Sequence, residues 1–203
     1  GYKEVAEKMK SLLQYAEPNP YAYSYNDACT AFARGESAMY PIGSYAVPQI
    51  LSVNPDMNID SFPFPANENE ADNVLNSGID LQFSVMKESK NKEAAYEVLR
   101  FLLEDETVQI YLDDQGGIPC KEGEFSLPSF LNGMEQYIKD NRMSDYHDHH
   151  YPSEMSVDAL IQTYLMDSSA NSAETFLDRF DNEWVRYNRD LIAKVKKYEE
   201  GQK

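Results

Sequence analysis

The sequence predicts a helix-rich α/β fold. Apolar residues recur at steps of three and four in several stretches, as in Ala95, Val98, Leu99 and Leu102, or in Phe176, Phe180, Trp184, Tyr187, Leu191, Val195 and Tyr198. That spacing gathers them on one side of a helix. Between such stretches lie runs of strand length: Ser37 to Ile42 is nearly unbroken apolar, and residues 59–64, reading IDSFPF, alternate apolar and polar. Glycine and proline clusters separate the two kinds of segment.

Taken in order, Tyr2 to Tyr15 reads as a helix with Val5, Met9, Leu12 and Leu13 on one stripe, stopped by the two prolines of EPNP. Tyr21, Tyr23 and Tyr25 follow at a period of two, which gives them a shared face in extended chain. A short helix then carries Ala28, Ala31 and Phe32, with Asn26 or Asp27 as N-cap and Gly35 as C-terminal cap. After the apolar run comes the glycine turn Gly43–Ser44, then Tyr45 and a helix with Pro48 in its first turn. Pro63 puts the IDSFPF strand at a sheet edge or its end, and ANENEADNV is a loop by composition. Asn76 to Asp80 lead into a further strand, LQFSVM.

Residues 91–103 form the clearest helix, with Ser89 or Asn91 as cap and an apolar face expected to pack on a sheet. Asp105 to Leu112 is a second, ended by DDQGG. Further helices are predicted over Leu127 to Asn141, Ser156 to Met166, and in one long span from a Ser172 cap through the aromatic stripe to KVKK. Aromatics at so many seam positions favour packing onto a domain over a coiled-coil zipper.

With 203 residues, the chain is long enough for one good core or two small ones. Its formal net charge is −17, which argues against nucleic acid or an anionic membrane surface as partner and favours a neutral ligand. No run approaches the roughly 20 apolar residues that a membrane-spanning helix needs, and the first ten residues lack the apolar core of a signal peptide. Cys29 and Cys120 are too few for a disulfide framework; Cys29 shares a helix face with Phe32 and reads as a buried thiol, with one Cys29–Cys120 disulfide as the alternative.

The stretch from Asp27 to Tyr45, DACTAFARGESAMYPIGSY, has a chemical use. A strand that halts at glycine and hands over to a helix leaves backbone N–H groups pointing outward beside the next side chain, here Tyr45. An aromatic ring can stack on the C–H face of a sugar while nearby donors bond its hydroxyls; equally, Tyr45 can be a core tyrosine.

The order Asp27, Phe32, Gly35, Glu36, Ala38, Met39, Gly43, Ser44 and Tyr45 resembles the carbohydrate-type extracellular solute-binding proteins of bacterial ABC transporters, the maltose-binding-protein-like group. SKNKEAAYEVLRFLL (Ser89 to Leu103), QGGIP (Gln115 to Pro119) and PSEMSVDAL (Pro152 to Leu160) resemble further segments of that family in the same order. The resemblance is clear from Asp27 to Pro119 and looser from Pro152, while Lys121 to Tyr151 matches only by position.

It implies the C-terminal portion of a type II periplasmic-binding-protein-like fold of two lobes: residues 1–64 and 121–203 in the C-terminal lobe, and 65–120 a crossover segment of the other lobe. It further implies the sugar-binding component of an ABC importer, extracellular and either periplasmic or a cell-surface lipoprotein. The expected partners are a mono- or oligosaccharide and the transporter permease, with no cofactor, no nucleic acid, and a dimer of the fragment as a possibility. Tyr45 is then the stacking ring, Gly43 and Ser44 backbone or hydroxyl donors, and Gly78 a small residue that lets backbone approach the ligand. Asp80 is either a hydroxyl acceptor or a solvated turn aspartate, and the tyrosine row 21–25 either lines the groove or covers a core edge. Met155, Val157 and Ala159 stand where the family commonly has its second stacking aromatic, so Tyr151 is the candidate substitute.

Rival readings are a hydrolase and a helical interaction module built on the last helix. His147, His149 and His150 lie beside Asp145 and Asp148, a spacing that can present two imidazoles to a metal, but without an HExxH helix or a cysteine pair. The alternative is a polar loop at a cleft rim, where Tyr146 or Tyr151 touches ligand hydroxyls. No GxSxG turn or phosphate loop is present, and among 35 carboxylates a glycosidase pair has no distinguishing mark.

Overall fold

Helix is the main regular element in the fold, a computed structural model that describes residues 1–79, 81–166 and 172–201. In chain order the helices are α1 (Tyr2–Leu12), α2 (Tyr25–Ala33), α3 (Ala46–Val53), α4 (Lys92–Leu102), α5 (Asp105–Gln115), α6 (Glu135–Lys139), α7 (Val157–Met166), α8 (Ala173–Tyr187) and α9 (Arg189–Gly201). Two short strands, β1 (Leu75–Asn76) and β2 (Met143–Ser144), pair in parallel with Leu75 opposite Met143. The chain divides into two units, one of Gly1–Pro20 with Tyr146–Lys203 and one of Tyr21–Asp145.

The first unit is built on an aromatic core. Phe176 and Phe180 of α8 and Tyr164 of α7 are buried with Met155 and Ala6 of α1. Tyr164 stacks on Phe176 at 4.8 Å, and its hydroxyl donates to the Ala6 carbonyl at 3.2 Å. That bond gives the one polar atom of a buried ring a partner. α1 presents Ala6, not the expected stripe: Val5 and Leu12 are about half exposed, because a small side chain lets the helix backbone lie closer to its neighbours.

Ser172 caps α8 as expected, accepting from the Thr175 amide at 3.3 Å. The expected single long helix is interrupted at Asn188, whose side-chain and backbone nitrogens both donate to the Trp184 carbonyl at 3.0 Å. An asparagine that turns its amide on the preceding turn competes with helix propagation. The aromatic stripe is accordingly used in its first half, Phe176 to Trp184, while Leu191, Val195 and Tyr198 stand exposed.

In the second unit, α2 begins at a capping box two to three residues earlier than the sequence suggested. Ser24 is the N-cap, not Asn26 or Asp27; its hydroxyl accepts from the Asp27 amide while the Asp27 carboxylate accepts from the Ser24 amide at 3.0 Å and hydroxyl at 2.6 Å. Those bonds hold the Asp27 carboxyl below its ordinary range. Gly35 closes the helix as expected, at φ +77°: its amide donates to Phe32 and the Glu36 amide to Ala31, the double bond pattern of a left-handed glycine cap. Gly116 ends α5 at φ +65° with a single bond, its amide donating to the Leu112 carbonyl at 2.9 Å.

The predicted strands are the part of the α/β expectation that the structure corrects. Ser37 to Ile42, residues 59–64 and residues 81–86 are extended or irregular without a ladder, and Met39, Ile42, Phe62, Phe64, Leu81, Phe83 and Met86 are exposed. A strand exists only where another offers its N–H and C=O groups, and among the described residues none lies alongside these segments. For the same reason, α4 has no sheet to pack on among the described residues, and Val98 is exposed.

The tyrosine row is likewise not extended, since Pro20–Ala22 is a 3-10 turn and Tyr25 opens α2. The helix expected over Leu127 to Asn141 is a 3-10 segment, Ser129–Met134, followed by α6. Gly133 lies there against the chain at Ser61, so a Cβ at this position would come within 2.1 Å of the Ser61 carbonyl oxygen. Arg142 fastens β1 to β2 from outside the pair, donating to the carbonyls of Glu70 and Asn73 at 2.7 Å and lying 4.4 Å over the Tyr137 ring.

Cys29 is buried and Cys120 exposed, both as free thiols, so the buried-thiol reading holds and the alternative disulfide is absent. Gly133→Ala should lower stability by about 1 to 3 kcal/mol in urea unfolding, the cost of overpacking, whereas Gly201→Ala, with nothing within 4 Å, should be near neutral. Tyr164→Phe should cost about 1 kcal/mol in the same measurement through the lost buried hydrogen bond.

Candidate functional site

The site grows from the way α2 and α3 lie together. Cys29 and Ala33 of α2 meet Ala46 and Ile50 of α3, all buried, with Phe32, Tyr40, Met57 and Ile59 around them. Three of the four central residues are small, which allows the backbones a close approach. The helices run in the same direction. Their starts meet where the Tyr25 hydroxyl donates to the Tyr45 carbonyl at 3.4 Å, and their ends where Asn54 donates to the Ala33 carbonyl at 3.0 Å.

Two tyrosines are therefore brought to one end of the pair. Tyr45 is the N-cap residue of α3 and its ring is 59% exposed, so the core-tyrosine alternative does not hold. The Tyr25 ring lies 6.1 Å away, inclined by 33° and 42% exposed. Burial, followed by the neighbouring Cys29 thiol and then Tyr45, pushes the Tyr25 hydroxyl above its ordinary pKa, so it is a neutral donor at physiological pH. Burial raises Tyr40 likewise; its ring packs 5.9 Å from Phe32.

Gly43 and Ser44 form the turn into α3. Their carbonyls accept from Ala46 and Val47 at 3.0 Å, and among the described residues the amides of Gly43, Ser44 and Tyr45 donate to no protein acceptor. Glycine is required at 43 by the ring, since a Cβ there would lie 2.3 Å from a Tyr45 ring carbon. The turn after α5 is fitted to this one: a Cβ on Gly116 would fall 2.7 Å from the Phe130 ring and 3.5 Å from the Ser44 carbonyl. Thus the QGG and GSY segments, far apart in sequence, meet in space.

Of the other expected site residues, Gly78 lies half-buried two positions beyond β1, and Asp80 falls outside the described residues. Tyr151 belongs to the first unit, where its ring meets Phe180 edge-on at 5.4 Å and its hydroxyl lies 3.4 Å from that of Tyr2. Burial, with Tyr2 next in effect, raises its pKa. Met155 is buried in the same core.

The histidines occupy a 3-10 turn, His147–His150, with Tyr146 edge-on to His149 at 5.4 Å. Among the described residues no three His, Cys, Asp or Glu side chains converge as a metal would require. A shallow, open groove of about 430 Å³ runs along the outer side of α2, lined by Tyr23, Asp27, Thr30, Arg34 and Glu36.

Tyr25, which the period of two assigns to an extended row, instead opens α2 and lies beside Tyr45. The signal was present in Ser24-x-x-Asp27, a capping-box spacing that starts the helix at Tyr25 and frees its ring from that row.

An aromatic ring over a glycine turn at a helix start, with unused amides beside it, is a place where a small polar guest can be held. The family described as bacterial extracellular solute-binding protein matches residues 1–109, more than half of the chain, and the chain belongs to it. It is 28% identical over 163 residues to the multiple sugar-binding protein of Streptococcus mutans serotype c, a match covering 78% of this chain and 38% of that protein. Binding proteins of Brucella abortus strain 2308 and Brucella suis biovar 1 are 23% identical over 137 residues, covering 66% of this chain and 33% of theirs. The matches thus span between a third and two fifths of the length of these relatives. No helix among the described residues is long and apolar enough to cross a membrane.

Gly43→Ala should displace the Tyr45 ring while leaving the fold in place, because the ring is exposed and can swing outward. The expected outcome is a changed near-ultraviolet circular dichroism spectrum with an unchanged far-ultraviolet one.

Proposed function

We propose that this chain is the C-terminal part of the carbohydrate-binding component of a bacterial ABC importer, a secreted and lipid-anchored protein that binds solute without transforming it. The observation that carries the reading is the exposed Tyr45 ring with free amides at its base, in a chain similar to a multiple sugar-binding protein. A sugar offers an apolar C–H face to the ring and hydroxyls to the amides, so one guest satisfies both.

In this reading, residues 1–64 and 121–203 contribute to one lobe and 65–120 to the other. Gly43 and Ser44 donate, Tyr45 stacks, Gly78 admits the ligand's approach, Asp80 accepts from hydroxyls, and Tyr151 supplies a second aromatic contact. Closure of two lobes on the sugar favours one conformation, and the membrane permease recognises that closed form. The hydrolase reading has less support, since the chain belongs to a solute-binding family.

A ligand that binds the folded state must raise its melting temperature. In the intact protein, a thermal-shift screen against mono- and oligosaccharides should give at least one stabilising sugar, and Tyr45→Ala should weaken its binding at least tenfold by calorimetry, about 1.4 kcal/mol. Absence of any stabilising sugar overturns the carbohydrate reading; unchanged affinity in the variant removes Tyr45 from the site.

A further inference from the structure

Half of the aromatic stripe that runs through α8 and α9 is not used by the first unit. Phe176, Phe180 and Trp184 pack in its core, whereas Leu191, Val195 and Tyr198 of α9 are exposed. α9 is nonetheless a formed helix, joined to α8 through the bond from the Ile192 amide to the Asn188 carbonyl at 2.9 Å. A helix already held in shape by the domain behind it can dock without a folding cost of its own.

The spacing on that face indicates what fits it. Asn188, Leu191, Val195 and Tyr198 stand three, four and three residues apart, which makes them the a, d, a and d positions of two heptads. A β-branched Val at a with Leu at d favours two strands, and a single Asn at an a position fixes register and strand number. The flanks add a direction. In this frame Lys194 is at g and Glu199 at the following e, and in a parallel pair in register those two positions face each other across the seam. Lys194 of each copy then meets Glu199 of the other, twice by symmetry. An antiparallel pair centred on the same seam would set the two copies of Lys194 against each other. Among the described residues neither Lys194 nor Glu199 has an ion-pair partner in its own chain.

The geometry points to α9 as one strand of a parallel two-stranded coiled coil formed with a second copy of this chain, in register at Asn188. Val195 enters the hole bounded by Leu191, Lys194, Val195 and Tyr198 of the second copy. Asn188 gives one side-chain amide proton to the Trp184 carbonyl and keeps the other, with its oxygen, for Asn188 of the second copy. Two heptads bury less than the roughly 1,600 Å² of a standard interface, so the dimer is weak, with a dissociation constant between about 1 μM and 1 mM. The pairing is independent of what the site at the start of α2 and α3 binds.

The test is sedimentation equilibrium of the 203-residue chain at loadings from about 10 μM to about 1 mM, a range that brackets such a constant, with a reductant present to keep Cys120 from cross-linking. The mass should rise from that of one chain toward that of two. Lys194→Glu and Glu199→Lys should each weaken association at least tenfold, because each sets like charges together at two places in the dimer. The double variant, Lys194→Glu with Glu199→Lys, should return it to within threefold of the parent. Val195→Asp should weaken it at least tenfold. These three positions are exposed, so circular dichroism and melting temperature should match the parent in every variant. A chain that stays monomeric throughout, or a dimer that Val195→Asp leaves intact, overturns the proposal. Charge reversals that the double variant does not rescue overturn the parallel register and the proposal with it. Flotation of the chain with phosphatidylglycerol vesicles, lost in Val195→Asp, assigns the face to a lipid surface and overturns it as well.

Discussion

Everything at the candidate site depends on the close contact of α2 with α3. Cys29, Ala33 and Ala46 occupy the seam, and Ile50 closes it at the lower end. Larger side chains at these positions would separate the helices, and the two tyrosines at their starts would part with them. The contact is directional as well as close: Asn54 ties the ends of the helices as Tyr25 ties their beginnings. A parallel pair of helices needs a return segment, and residues 34–44 supply it, anchored midway by Tyr40 on Phe32. The glycine cap at 35 and the glycine turn at 43 sit at the two bends of that return. The local chemistry of the segment and its tertiary role are thus the same fact seen at two scales.

Helices and their caps were legible in the sequence because their causes lie within a few residues of each other. Gly35, Gly116 and Ser172 act where the pattern put them. Strands were not legible in the same way. The run Ser37 to Ile42 has a strand's composition, but whether it becomes one depends on a partner that its own residues do not specify. Conversely, β1 and β2 are two residues each and too short to carry a period, and their pairing joins positions 68 apart in sequence. Asn188 shows the limit for helices. One side chain that turns back to the Trp184 carbonyl divides a stripe whose spacing reads as continuous.

The same distinction runs through the site. The turn at Gly43 and Ser44 and the helix start at Tyr45 were legible because a glycine turn before an aromatic has a local consequence. The seat of Tyr151 was not, because its burial against Phe180 comes from α8, some thirty residues further on. Tyr25 lay between these cases: a local signal, the capping box, competed with another local pattern, alternate tyrosines. Hydrogen bonds to Ser24 are specific and directional, whereas a period of two over three residues is easily met by chance. The directional signal won.

Charge narrows what such a site receives. The chain carries 35 acidic against 18 basic residues, and a field of that sign disfavours the approach of an anion. At physiological ionic strength the field is screened over about 8 Å, so it acts on a ligand close to the surface and not from afar. The polar groups of the candidate site among the described residues include backbone amides and phenolic hydroxyls, with Tyr25 and Tyr40 held in the neutral form. Neutral donors beside an apolar ring are matched by a guest whose own polarity is spread over uncharged hydroxyls. An anionic guest would meet the opposing field with only three amides to stabilise it, whereas a neutral polyhydroxyl guest meets no such penalty and uses the ring as well.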